Sequence, residues 1–374
     1  MFFATKTPIP LNGSVASSYL NQAPNRGSRL NPAQLRFREL LGKVGSGEHT
    51  SSGLSLAEAE EAMDAMLLGQ ISDAQLGAFL IAHRIRRTEP QELAGMLASY
   101  QRLGPQLHSP ERRPLCFGVP YDGRSRTAPL LPLTALGLVA AGEMVVLSGG
   151  NPMPVKWGIT LAELFSVLGL DWRHLSLLQV QQMLLEQGLA LCHQPQLFPA
   201  AERLLPVRDQ IGKRPPVASL ELLWTPHCGE HLLVSGYVHP PTEARAWAAL
   251  ELAGEKNVIT IKGLEGSTDL PLGRACIVSR SLGGERQRLI LHPRDHGFKA
   301  ADSNFSNLES WCANALAALG GSGPLAEALH WNLGAMLWLC GREQSLELGL
   351  AQAEQLIKSG ALLRQLGKLR KALA

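Results

Sequence analysis

The sequence is short of aromatic residues, at 5%, and of charge, at 18%, and its net charge of +3 leaves no large excess of either sign. Binding of a nucleic acid by bulk charge is therefore not favoured, because each phosphate contact needs its own cation, although a local basic patch fits the same totals. No apolar run reaches the roughly 20 residues that a membrane-spanning helix needs. The longest, from Pro132 to Leu147, is broken by Glu143 and reads as core. The first twenty residues contain no continuous apolar stretch, which speaks against a cleaved secretory signal. None of the six cysteines (Cys116, Cys192, Cys228, Cys276, Cys312 and Cys340) forms a C-x-x-C pair. A zinc ribbon and a redox dithiol are accordingly not indicated, and a reducing cytoplasm fits. His227, Cys228 and His231 come nearest to metal-ligand spacing, but Pro226 and Gly229 keep the two histidines off a common helix face. Acidic residues are absent before Glu39, while Ser, Asn, Pro and Arg recur. Residues 1–34 read as a disordered arm, with a plastid transit peptide as the other reading of that composition.

What is present is apolar material, 45% of the 374 residues, and length for two or three domains of about 150 residues. Residues 35–106 read as short amphipathic helices. Ser55 with Glu58 makes a capping-box pair, Ser72 with Gln75 repeats it, and Thr88 ahead of Pro90 marks a third start. This unit is too small for a comfortable core of its own and is predicted to lean on a larger neighbour. The helices near 160–190 are candidates to join it. Residues 107–374 alternate apolar runs with helical stretches. Strands are predicted at 114–119, 143–149, 231–238 and 257–263, and at either 276–280 or 288–292. Helices are predicted around 160–168, 178–186 and 242–253, and from Asn307 onward. The predicted class is α/β: a small N-terminal helical domain plus a larger α/β domain with a mostly parallel sheet and C-terminal helices.

Ligands of open α/β sheets bind beyond the carboxyl ends of the strands, and three loops there stand out. The first joins an Asp122-Gly123 turn to Arg124, Ser125, Arg126 and Thr127. Two fork-shaped cations and two hydroxyls suit a phosphate or carboxylate, and a solvated surface turn is the competing reading. In the second, Gly149 and Gly150 permit close backbone approach beside Asn151, and Lys156 adds a point charge. The third carries Glu265 and Asp269 on a glycine-containing loop, a pair suited to Mg2+ beside a substrate phosphate. Taken singly, each carboxylate is an ordinary cap or surface group.

These segments, in this order, resemble the anthranilate phosphoribosyltransferase-like family, glycosyltransferase family 3, whose fold is shared with pyrimidine nucleoside phosphorylases. The resemblance runs from Leu35 to Leu369 and is carried by residues 54–96, by LLPVRDQIGKRPPVASLELLWTP, by GYVHPPTEARAWAALELAG and by KSGALLRQL. It implies a homodimer formed through the helical domain and a small phosphorylated ligand. The implied reaction moves a phosphoribosyl group from 5-phosphoribosyl diphosphate to a small, acidic aromatic acceptor, with Mg2+ as cofactor. The chemistry-bearing motifs depart from the family's. Its Gly-Thr-Gly-Gly-Asp loop is Pro120-Tyr121-Asp122-Gly123 here, and of the Asn and Ser-Thr that follow only Thr134 matches. Its Lys-His-Gly-Asn segment ends here as Gly149-Gly150-Asn151, and its acidic pair is Thr268-Asp269. Arg208 matches the family arginine near the acceptor. The enzyme reading thus puts Arg124, Arg126 and Lys156 on phosphates, Glu265 with Asp269 on Mg2+, and Arg208 by the acceptor, with slow turnover of anthranilate. The other reading is a non-catalytic binder of a nucleotide, sugar phosphate or nucleic acid, or a regulatory scaffold, derived from the same fold.

Overall fold

The structure, a computed structural model, describes residues 29–47 and 50–374. The arm read at 1–34 lies outside the described residues as far as position 28. Four helices open the described chain: α1 (Pro32–Gly45), α2 (Leu56–Leu67), α3 (Asp73–Arg86) and α4 (Pro90–Leu103). The predicted caps form. The Ser55 hydroxyl accepts from Glu58 N–H at 3.2 Å while Ser55 N–H donates to the Glu58 carboxylate at 3.1 Å, and Ser72 with Gln75 does the same. Each such cap satisfies N–H groups that the helix itself leaves open, and is worth about 1 kcal/mol. At α4 the cap residue is Glu89, because the Glu92 side chain turns back to its N–H at 2.8 Å.

The bundle does not close on itself. Tyr100 meets Phe198 and Trp224 edge-on, with ring centroids at 5.2 and 5.8 Å. The same apolar cluster takes in Leu204, Val207, Leu220, Ala249 and Leu250. The helices near 160–190 pack elsewhere: Leu164, Phe165, Val180 and Leu184 belong to the larger core. Gly188 alone separates the helix Leu177–Gln187 from a strand, so that helix is held against the sheet and away from the bundle. Segments further along, between 194 and 223, join the bundle instead.

Among the described residues seven strands form one sheet: β1 (Leu115–Gly118), β2 (Val145–Gly149), β3 (Leu189–His193), β4 (Leu232–Gly236), β5 (Asn257–Ile261), β6 (Cys276–Leu282) and β7 (Gln287–Leu291). Their order is β3-β2-β1-β4-β5-β6-β7. The first five are parallel, and β6 and β7 add an antiparallel hairpin at one edge, so both of the alternative runs are strands. Every residue of β2, β3 and β4 is buried, as expected of parallel strands covered on both faces. Strand β3, LALCH, goes unread in the sequence because an unbroken apolar run directly after a helix carries no period of its own. The topology brings the carboxyl ends of β1, β4 and β5 side by side beneath the bundle. Among the described residues no helix is long and apolar enough to cross a membrane.

Candidate functional site

The ends of β1, β4 and β5 open into a cleft of about 900 Å³, whose far wall is the end of α3 and the helices Val217–Leu223 and Pro240–Leu252. Among the described residues, eight arginine and lysine side chains line it against four carboxylates. All four carboxylates are engaged. Asp122 accepts from Arg214 Nε at 2.6 Å, Glu221 pairs with Arg208, and Glu243 takes Arg286 at 3.1 Å with the Thr260 and Ser279 hydroxyls at 2.8 Å each. The fourth, Glu265, is bound by the loop after β1. By contrast Arg84, Arg87, Arg245 and Lys262 make no ion pair among the described residues. Low-dielectric walls focus the field of such unpaired cations into a concavity. His83 also faces the cleft; its Nε2 is buried without a hydrogen-bond partner among the described residues. Burial drives its pKa down to about 4 against the pull of Glu92 at 3.7 Å, so it is neutral at pH 7.

The loop after β1 is braced from behind. Gly123 takes φ +77°, and a Cβ there would overlap the backbone of Gly158. Arg124 exchanges main-chain hydrogen bonds with Ile159, at 3.1 and 2.7 Å. This clamp turns the Arg124 guanidinium inward, where it is 5% exposed and meets Asp269, Thr127 and, at 3.7 Å, Glu265. Asp269 also accepts Leu130 N–H at 2.8 Å. Glu265 receives the N–H groups of Ser125, Arg126 and Thr127 at 3.3, 3.1 and 2.9 Å, the Thr127 hydroxyl at 3.0 Å and Lys156 Nζ at 3.4 Å. Burial alone would raise its pKa, but the donors from Thr127, Ser125 and Arg126 outweigh it and hold the carboxyl at about 2. Desolvation lowers the pKa of Lys156, with Glu265 and Asp122 pulling the other way. Glu265 itself sits at φ 55°, in the left-handed region that costs a non-glycine residue about 1–2 kcal/mol.

The helical bundle domain of the glycosyl transferase family matches residues 38–104, and that family's a/b domain matches residues 134–363. The chain belongs to this family. It is 26% identical to the anthranilate phosphoribosyltransferase of Verminephrobacter eiseniae over 82% of this chain and 90% of that protein, and 27% identical to that of Rubrobacter xylanophilus over 88% and 95%. The crystal structure of anthranilate phosphoribosyltransferase from Thermus thermophilus superposes with a TM-score of 0.76 at 27% identity, covering 89% of this chain and 99% of that one. The Saccharomyces cerevisiae enzyme, solved with 5-phosphoribosyl diphosphate and magnesium, shares the fold at 14% identity with the same TM-score, over 91% and 98%.

Within the family, this chain's expected site residues divide. Asp122, Arg126, Lys156 and Glu265 line the cleft, whereas Gly123, Arg124, Ser125, Thr127 and Asp269 stand behind it as the clamp. Gly149, Gly150 and Asn151 lie outside the cleft lining, at the end of β2, where Asn151 faces His193 at 3.0 Å. Arg208 is buried and lies outside the cleft lining; its Nη1 pairs with Glu221, while its Nε and Nη2 have no hydrogen-bond partner among the described residues. Mg2+ does not fit the residues as they stand. Glu265 and Asp269 both face the Arg124 guanidinium, and the Glu265 oxygens are already bonded to main-chain donors. Among the described residues no group of three or more His, Cys, Asp or Glu side chains is arranged for a metal. Arg84, Arg87, Arg214, Arg245, Glu221 and Glu243 also line the cleft, and no motif in the sequence singles them out. The His83 to Arg87 run, HRIRR, was the available signal, but it reads equally as a solvated helix end.

Proposed function

We propose that this member of the glycosyl transferase family binds a phosphorylated small molecule in the cleft between bundle and sheet, and that metal-assisted phosphoribosyl transfer to anthranilate runs far below the rate of its enzymatic relatives. The observation that carries the reading is the cleft's charge: among the described residues, eight cations against four carboxylates, every one of these carboxylates already engaged. Arg84 and Arg87 from the bundle face the same cavity as Arg245 and Lys262 from the α/β side, with Arg126 and Lys156 at the sheet end. Arginine forks bind phosphate oxygens two at a time, and lysine adds a movable charge. A small phosphorylated ligand needs only a few of these. The near-neutral chain as a whole favours it over a long nucleic acid.

Transfer of the phosphoribosyl group of 5-phosphoribosyl diphosphate to a small acceptor is the second reading. It is favoured by the relatives named as anthranilate phosphoribosyltransferases over 82–88% of this chain. Against an acidic acceptor stands the Arg208–Glu221 pair. We also take from the family resemblance a homodimer formed through the bundle, to be checked by light scattering, and a cytoplasmic setting, which six unpaired cysteines suit. The deciding experiment is calorimetric titration with ribose 5-phosphate and with 5-phosphoribosyl diphosphate, with and without Mg2+, followed by product analysis with anthranilate. Binding of ribose 5-phosphate without turnover supports the first reading; Mg2+-dependent turnover replaces it by the second; no binding of either compound removes both.

A further inference from the structure

Glu265 fills, with a carboxylate of the chain itself, a place built for an anion. The N–H groups of three successive residues, Ser125, Arg126 and Thr127, are aimed at it from 2.9 to 3.3 Å, and the Thr127 hydroxyl joins them at 3.0 Å. Successive main-chain N–H groups converging on one point are how a loop holds a phosphate or sulfate. Lys156 Nζ at 3.4 Å and Arg126 Nε at 3.6 Å add cations to the rim. This place is in reach of ligand, since Glu265, Arg126 and Lys156 all line the cleft. The backbone of Glu265 does not favour its own position. At φ 55° it sits where glycine is preferred, between Gly263 and a Gly266 at φ 83°, so its partners hold it there against the preference of the turn.

We propose that Glu265 is a resident competitor for this anion place: it keeps free oxyanions off residues 125–127, and a ligand phosphate enters only by turning Glu265 out into the cleft. The physiological side of this inference rests on the phosphate-binding reading of the cleft. A carboxylate brings one charge and two oxygens, whereas a phosphomonoester brings nearly two charges and three oxygens to the same donors. Expelling a carboxylate that accepts from three N–H groups, the Thr127 hydroxyl and Lys156 needs more than that difference. The ligand class admitted is therefore a phosphomonoester whose remaining body is anchored at a second point, on the wall that carries Arg84, Arg87 and Arg245. Glu265 thus determines specificity: free phosphate is refused, and an anchored phosphate is accepted.

The test titrates inorganic phosphate, without Mg2+, into the full-length protein and its Glu265→Ala and Glu265→Gln variants, read by calorimetry and by the phosphate-dependent shift of Tm. The expected result is millimolar or weaker binding by the natural chain and at least tenfold tighter binding by Glu265→Ala, with Glu265→Gln between them. Equal affinity in all three overturns the proposal, and so does weaker binding in the variants. Where Glu265→Ala does not fold, the comparison with Glu265→Gln decides alone. Ribose 5-phosphate titrated into the natural chain separates the two claims. If it binds while neither variant gains affinity for phosphate, the competitor role fails and the cleft reading stands. If the variants gain affinity and ribose 5-phosphate does not bind, the reverse holds.

Discussion

Arg124 and Asp269, 145 positions apart in the chain, form a buried ion pair that ties the loop after β1 to the loop after β5. Their side chains are 5% and 2% exposed, so neither charge has water to fall back on. Breaking such a pair from one side leaves the other charge uncompensated and typically costs about 3–5 kcal/mol. Asp269→Ala is therefore expected to lower the stability by that order in urea unfolding. The double variant Arg124→Met with Asp269→Leu should recover much of it. Equal stability of Asp269→Ala and the natural chain would refute the assignment.

Because Arg124 already stands against both carboxylates, ligand binding should not depend on Mg2+. The affinity for ribose 5-phosphate is expected to agree within twofold with and without millimolar Mg2+. A ligand-bound crystal showing octahedral density about 2.1 Å from Glu265 and Asp269 oxygens would show the opposite.

In the loop that follows β1 the N–H donors of residues 125–127 are held by Glu265, so they are not preorganised for a departing diphosphate and reach it only once Glu265 is turned out. Removing one preorganised donor of this kind slows a reaction by about 10²–10³. The chain is accordingly expected not to restore growth of a tryptophan auxotroph that lacks anthranilate phosphoribosyltransferase. Growth on minimal medium would count against the reading.

Arg84 and Arg245 reach the cleft from the two domains without acidic partners among the described residues. Arg84 is exposed and Arg245 partly so, hence salt screens them and each is worth at most about 1 kcal/mol toward a phosphate. Changing both to Ala should weaken ribose 5-phosphate binding about tenfold at low salt and much less at high salt. The measurement is a titration series in NaCl, and a salt-independent affinity would place the ligand elsewhere.

His83 makes stability depend on pH in a defined direction. Burial lowers its pKa from 6.5 to about 4 in the folded chain, Glu92 opposing and Arg86 assisting. The unfolded chain takes up a proton near pH 6.5 that the folded chain refuses, so its contribution is complete above that value. It is lost as pH falls toward 4, up to about 3 kcal/mol. His227, also depressed to about 4 by burial, acts in the same sense. Unfolding free energies at pH 7 and pH 4.5 should differ less in His83→Gln than in the natural chain.

Local chemistry in the sequence determined much of this molecule. Ser55 with Glu58 and Ser72 with Gln75 specify helix starts through contacts three residues apart, and the apolar runs of β1, β2, β4 and β5 specify buried strands, because both signals are complete within a short window. The loops that meet at the sheet's carboxyl ends were legible for the same reason, from Asp-Gly and Gly-Gly turns at strand ends. What those loops do was decided by the tertiary structure. Nothing near Glu265 in the chain shows that it lies against the N–H groups of residues 125–127, nor anything near Arg208 that Glu221 pairs with it. A loop has no period to set the direction of a side chain. A charge finds its partner by proximity in space, and packing alone brings residues 138 positions apart to 2.9 Å.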